Sequence, residues 1–198
     1  MGGPFKSPMD PDARDRELLR SYAENGDERS LAEFIKRHES ALLRFSARLL
    51  GDGHAAQDIV QEVFFRVVAR PQLLLKARNC RNWLLVVTRN LGVSYMRREI
   101  RRRRNTERLS GRLARTRSFE PPADRQLERS EIREQVLRAL MLLKPRHREL
   151  VLLRLQEGKS YREIGRITGL SVSNVGYLLH CALKELSVLL RDIREVLE

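Results

Sequence analysis

The chain has 198 residues, of which 41% are hydrophobic and 33% charged, and its formal net charge of +13 points to a polyanionic partner. Two cysteines far apart, Cys80 and Cys181, exclude a disulfide framework, and His38, His54, His147 and His180 stand singly, so no metal or other cofactor is expected. The opening stretch lacks the apolar core of a secretory signal, and no later apolar run approaches the roughly 18 residues that cross a bilayer, so no membrane insertion and a cytoplasmic location are expected.

Residues 1–14 are rich in Pro and Gly and are expected to be disordered. "RELLRSYAEN" reads as a short helix closed by Asn25-Gly26. A longer helix follows, in which Leu31, Phe34, Ile35, His38, Leu42, Phe45 and Leu49 form one apolar stripe that ends at "GDG", Gly51 to Gly53. In "HAAQDIVQEVFFRVVAR" the apolar set is Ile59, Val60, Val63, Phe64, Val67 and Val68, and the opposite side carries Asp58, Gln61, Glu62 and Phe65. "PQLLLKARNCRN" looks irregular, and it leads into a helix on which Trp83, Val87, Leu91 and Tyr95 occupy neighbouring turns. These four helices make a first domain, residues 15–100.

Between Arg97 and Arg117 ten arginines face only Glu99 and Glu107, a local net charge of +8. With no apolar period and with Gly111 and Pro121-Pro122, residues 101–125 read as a flexible basic linker. A second domain, residues 126–198, starts with a helix carrying Ile132, Val136, Leu140 and Leu143, and Pro145 separates it from "RHRELVLLRLQEG". Ser160 with Glu163 is a capping box. In "REIGRITGLSVSNV", Gly165 at a helix crossing, Gly169 at a turn and Val175 ten residues after Gly165 fit a helix-turn-helix, with Ser171 capping its second helix.

On that second helix Val175, Leu179, Ala182 and Leu186 point inward, which leaves Ser173, Asn174, Tyr177, His180, Cys181 and Lys184 to face a major groove. Lys159, Arg162 and Arg166 are placed for phosphates. The fold class is therefore all-α: two small helical domains joined by a flexible basic linker, the second containing the helix-turn-helix.

From about Arg16 to Arg191 the chain resembles the sigma factors of bacterial RNA polymerase, in particular the two-domain extracytoplasmic-function (ECF) group. "AQDIVQEVFFRVV" is similar to the family's polymerase-binding helix, "NWLLVVTRNLGVSYMRRE" to its promoter-melting helix, and "LLKPRHRELVLLRLQEGKSYREIGRITGLSVSNV" to its upstream-element domain. The resemblance implies a promoter-specificity subunit, not an enzyme, that binds core RNA polymerase and promoter DNA and assists melting. It places Asp58, Gln61, Glu62 and Phe65 on the polymerase. It assigns Asn90 to an unpaired base of the downstream element, with Arg89, Arg97 and Arg98 on phosphates. The upstream set is Lys159, Arg162, Arg166, Ser171, Ser173, Asn174, Tyr177, His180 and Lys184. An anti-sigma factor is a further partner, since many relatives have one.

Two departures stand out. "LLLKARNC" replaces an aromatic-Arg-Gly-acid stretch, and Gly176 and Cys181 stand where many relatives carry basic residues. The first leaves the choice of downstream bases open, and the second implies a different upstream sequence or a weaker dependence on it. On the residues alone two other classes stay open. A free-standing helix-turn-helix regulator leaves the first domain without a role, and a metal-dependent nuclease using Asp58 and Glu62 lacks a third carboxylate nearby.

Overall fold

The structure, a computed structural model, describes residues 11–110 and 127–197, and their regular structure is entirely helical. In chain order the helices are α1 (Pro11–Asn25), α2 (Glu28–Leu50), α3 (Gly53–Ala69), α4 (Pro71–Leu75), α5 (Cys80–Ser110), α6 (Leu127–Leu142), α7 (Pro145–Val151), α8 (Tyr161–Thr168) and α9 (Val172–Leu197). None of them is long and apolar enough to cross a membrane.

α1 begins at Pro11, inside the stretch that composition marks as disordered. A tertiary tie explains this. Asp12 accepts the Cys80 N–H at 2.6 Å, and Arg16, paired with Asp12 at 3.0 Å, donates to the carbonyls of Ala77 and Arg78 at 2.7 and 2.9 Å. The first turn of α1 thereby holds the connection that leads into α5.

α2 starts at Asp27, whose carboxylate accepts the N–H groups of Arg29 and Ser30, and stops at Gly51 with φ +68°. Its stripe packs as the spacing predicts, with Phe34, His38, Leu42, Phe45 and Leu49 buried. On α3 the residues Ile59, Val60, Val63, Phe64 and Val67 are buried, whereas Val68 is turned outward. At roughly 100° per residue Val68 falls at the far edge of the stripe, beyond the reach of α2 and α5. "PQLLL" is helical rather than irregular: Pro71 is preorganised for the first turn, and Leu74 is buried beneath it.

α5 runs 31 residues through Ser110, ten residues into the stretch read as linker. Arginine is a good helix former, no Gly or Pro occurs between Arg101 and Ser110, and Arg102 pairs with Glu99 one turn earlier at 3.1 Å. Residues 111–126, the remainder of the expected linker, lie outside the described residues.

In the second half, α6 buries Leu137, Ala139 and Leu140, with Leu143 just past its end, while Ile132 and Val136 are exposed. The sequence holds two overlapping apolar rows here, and packing against α9 selects the one containing Leu137. α7 continues into a π-helical turn over residues 152–156, closed by the Glu157 N–H donating to the Leu152 carbonyl at 3.1 Å. The buried side chains of both halves form one continuous cluster.

The halves meet along α2 and the first part of α5 on one side and α7, its π-turn and α8 on the other. Arg148 is a buried link between them. Its guanidinium donates to the carbonyls of Leu140, Met141 and Leu143 at 2.8, 2.6 and 3.3 Å, and to that of Leu49 in the first half at 3.0 Å. Burial pushes this guanidinium below its ordinary pKa. Four carbonyls, three of them in the last turns of α2 and α6, take the place of a counter-ion.

Candidate nucleic-acid interface

The helix-turn-helix is built by local chemistry. Ser160 begins α8 as a two-way cap: its hydroxyl accepts the Glu163 N–H at 3.3 Å, and the Glu163 carboxylate accepts the Ser160 N–H at 2.9 Å. The Ser160 N–H and hydroxyl hold the Glu163 carboxyl down to about 2, although burial opposes the shift. α8 ends at Gly169, whose φ of +75° suits a residue without Cβ. At the crossing, a Cβ on Gly165 would lie 2.8 Å from the Leu170 carbonyl oxygen, so glycine lets the turn fold back against α8. Ser171 then caps α9 by accepting the Asn174 N–H at 3.2 Å.

On α9, Val175, Leu179, Ala182 and Leu186 are buried, and Ser173, Asn174, Tyr177, His180 and Lys184 are exposed. Cys181 is half-buried. Tyr177 is 68% exposed, which leaves its ring and hydroxyl open to a partner. Arg162, Arg166 and Ser171 are also exposed at the same end of the domain.

Lys159 is placed differently from a free phosphate ligand. It is buried, with its ammonium 3.9 Å from Glu163, and burial lowers its pKa against the opposing pull of that carboxylate.

Sequence reading had no means of finding Tyr161. Its ring stands under the Arg154 guanidinium, 5.5 Å from the ring centroid, and beside α9, where a Cβ on Gly176 would lie 3.6 Å from Cε2. That is an ordinary contact distance, so the aromatic edge stands next to the exposed row with room for a Cβ at position 176.

In the first half, Asp58, Gln61, Glu62 and Phe65 share the exposed side of α3. Phe65 is 70% exposed, and Glu62 pairs with Arg66 at 2.8 Å. Asp58 and Glu62 gain no third acidic neighbour: among the described residues no group of His, Cys, Asp or Glu is arranged to hold a metal ion.

On α5, Arg97, Arg98 and Asn90 are exposed and Arg89 is half-buried. Arg89 Nε donates to Glu149 of the second half, while its Nη1 donates to the Asn90 side-chain oxygen at 2.8 Å. Two further α5 residues make the same crossing: Arg81 pairs with Glu157 at 2.9 Å, and Asn82 donates to Glu163 at 3.3 Å. The partners stand 60 to 81 positions apart, which is why no sequence pattern marks them.

Two helical domains in a strongly basic chain, one of them presenting a helix-turn-helix, define the class of helical proteins built to bind DNA. Comparison with known proteins specifies the class. Residues 34–104 match the family model of Sigma-70 region 2, and residues 133–186 match that of Sigma-70 region 4. The chain is 32% identical over 161 residues to the ECF RNA polymerase sigma factor EcfG of Rhodopseudomonas palustris, covering 81% of this chain and 85% of that one. It is 31% identical over 148 residues to the ECF RNA polymerase sigma factor SigE of Mycolicibacterium smegmatis, covering 75% of this chain but 56% of that relative.

The chain belongs to the ECF sigma factors of bacterial RNA polymerase, transcription initiation factors rather than enzymes. Among solved structures, the sigma factor RpoE of Bartonella quintana, in complex with the anti-sigma factor NepR, superposes with a TM-score of 0.65 at 22% identity, covering 80% of this chain and 97% of that one. CnrH, in complex with the cytosolic domain of CnrY, gives 0.63 at 23%, covering 90% and 98%. At these identities the likeness is one of fold.

Proposed function

We propose that the two halves divide promoter recognition between them, in the cytoplasm where the polymerase works. The exposed side of α3, with Asp58, Gln61, Glu62 and Phe65, docks on core RNA polymerase. The middle of α5 engages the downstream element, Asn90 taking an unpaired base and Arg89, Arg97 and Arg98 the phosphates. Melting then needs no catalytic group: holding unstacked bases costs a few kcal/mol each, and binding to the single strand offsets that cost. On α9, Ser173, Asn174, Tyr177, His180 and Lys184 read the upstream element, with Arg162, Arg166 and Ser171 on its backbone. Lys159 contributes to that grip only when its contact with Glu163 opens. An anti-sigma factor is a further partner on this reading, supported by the structural neighbour RpoE, which is held in a complex with the anti-sigma factor NepR.

The observation that carries the reading is the α3 face, where a phenylalanine 70% exposed sits among acidic and amide side chains in a chain of net charge +13. Such a face suits a protein surface rather than DNA. The test is co-elution of the full chain with core RNA polymerase on gel filtration, beside a variant carrying Asp58→Ala, Gln61→Ala and Glu62→Ala. Co-elution of the wild type alone supports the docking role. Equal co-elution of the variant would move the docking surface off this face, and failure of both to bind would overturn the docking role given to α3.

A further inference from the structure

The exposed row of α9 carries a narrow set of chemical groups. From Val172 to Leu190 the helix holds no arginine and a single lysine, Lys184. A recognition helix meets base edges with the residues of its first turns, and here the exposed ones are Ser173, Asn174 and Tyr177. Lys184 lies roughly 16 Å beyond Ser173 along the helix, too far to share their bases.

Guanine presents two acceptors to the major groove, O6 and N7, whereas adenine presents the N6 donor beside the N7 acceptor. A fork of two donors, as on arginine, therefore suits guanine, and a carboxamide with one acceptor and one donor suits adenine. If the Asn174 carboxamide faced guanine, one acceptor would meet another in either orientation. Its side chain is available for such a pair: Asn174 gives its main-chain N–H to Ser171 Oγ at 3.2 Å, and its carboxamide makes no hydrogen bond among the described residues.

Tyr177 supplies an aromatic surface, and the apolar group that a base pair places in this groove is the thymine methyl. The neighbouring surface is aromatic as well, since Tyr161 is 41% exposed and its Cε2 lies 3.6 Å from where a Cβ of residue 176 would stand. Cations near this end have other places. Arg154 stands over the Tyr161 ring and donates to the Lys159 carbonyl at 3.1 Å, and Arg162 and Arg166 belong to α8, the helix that crosses the DNA backbone. His180 can give an N–H to a purine N7, an acceptor that adenine and guanine share, so it does not separate them.

We propose that α9 reads A·T pairs and has no paired contact for guanine: Asn174 takes N6 and N7 of an adenine, and Tyr177 covers the methyl of a nearby thymine. The two residues stand roughly 4.5 Å apart along the helix, against roughly 3.4 Å between base pairs, so they reach neighbouring pairs. This rests on the assignment of α9 to the upstream element and names the bases which that assignment leaves open.

The experiment lets the full-length chain, bound to core RNA polymerase, select from duplexes randomised over the upstream site. The wild type is expected to enrich an adenine and a neighbouring thymine by about tenfold or more over the G·C pairs. Asn174→Arg should convert the adenine preference into one for guanine and keep the thymine, while Tyr177→Ala should erase the thymine and keep the adenine. Two base analogues placed in the selected site then test the contacts themselves. 7-Deazaadenine, which lacks the N7 acceptor, should weaken binding by the wild type but not by Asn174→Ala. Uracil in place of thymine should weaken the wild type about fourfold, the worth of one buried methyl, and leave Tyr177→Ala unaffected.

Guanine enriched by the wild type at the position whose preference Asn174→Ala abolishes would overturn the proposal and leave α9 on the DNA. A uracil site bound by the wild type as tightly as the thymine site would do the same. Identical selected sequences from the wild type and both variants would take α9 off the bases, and the upstream-element assignment would fall with the proposal.

Discussion

The guanidinium of Arg148 donates to the main-chain carbonyl of Leu49 at 3.0 Å, across 99 residues of sequence and from one half of the molecule to the other. The same side chain closes the end of α6 by taking the carbonyls of Leu140, Met141 and Leu143. Arg148→Met keeps the apolar stem and strands these acceptors. Unsatisfied buried acceptors cost about 1–3 kcal/mol each, less whatever water recovers, so a total loss of about 2–4 kcal/mol is expected. For a chain of this size that lowers the melting temperature by roughly 5–15 °C. A thermal melt indistinguishable from wild type would show that solvent replaces the arginine at no cost.

Asp15 joins α1 to α2 through His38 at 2.8 Å and Arg37 at 2.9 Å. Burial raises its carboxyl pKa, but the hydrogen bonds and charges of His38 and Arg37 outweigh it and leave the carboxyl below its ordinary value. The folded pKa is depressed, so the stabilisation is present in full above the unfolded value of about 3.9 and fades as pH falls through the lower folded value. Asp15→Asn should therefore be less stable than wild type in urea titrations at pH 7, with the gap narrowing below about pH 4. A gap that stays constant with pH would mean the loss comes from packing rather than charge.

On α9, Asn174→Ala and Tyr177→Ala should lower the preference for the chain's own upstream element over mixed DNA, each on the order of tenfold, since a good base contact is worth about 1–3 kcal/mol. Arg162→Ala should instead weaken binding to all sequences alike and reduce the salt slope by about one. Competition binding at two salt concentrations separates the two effects, and equal loss of preference in all three variants would contradict the division between base and phosphate contacts.

Two glycines of the helix-turn-helix should respond in opposite ways. Gly165→Val drives a branched side chain toward the Leu170 carbonyl, already 2.8 Å from where a Cβ would stand, and should cost about 1–3 kcal/mol by overpacking. At Gly176 the nearest atom is the Tyr161 ring at 3.6 Å, an ordinary contact, so Gly176→Ala should be tolerated and stabilise α9 by about 0.5–1 kcal/mol. Thermal melts of the two variants check the contrast.

What the sequence determined by itself is local. The stripe of α2, the Ser160 and Glu163 cap, the crossing at Gly165, the turn at Gly169 and the outward row on α9 each depend on residues within a turn or two of one another. Hydrogen bonds and helical periodicity at that range are written directly into residue order.

Where more than one local answer existed, tertiary structure made the choice. Ile132 and Val136 lie on a good helical row, but α9 packs against Leu137 and Leu140. α1 starts at Pro11 because Asp12 meets the N–H of Cys80, 68 residues away. Likewise, nothing near Arg89 or Lys159 in the sequence signals that one meets Glu149 and the other is buried. Charge and spacing show which groups can bind a phosphate; only the packing of one half on the other decides which carboxylate they meet first.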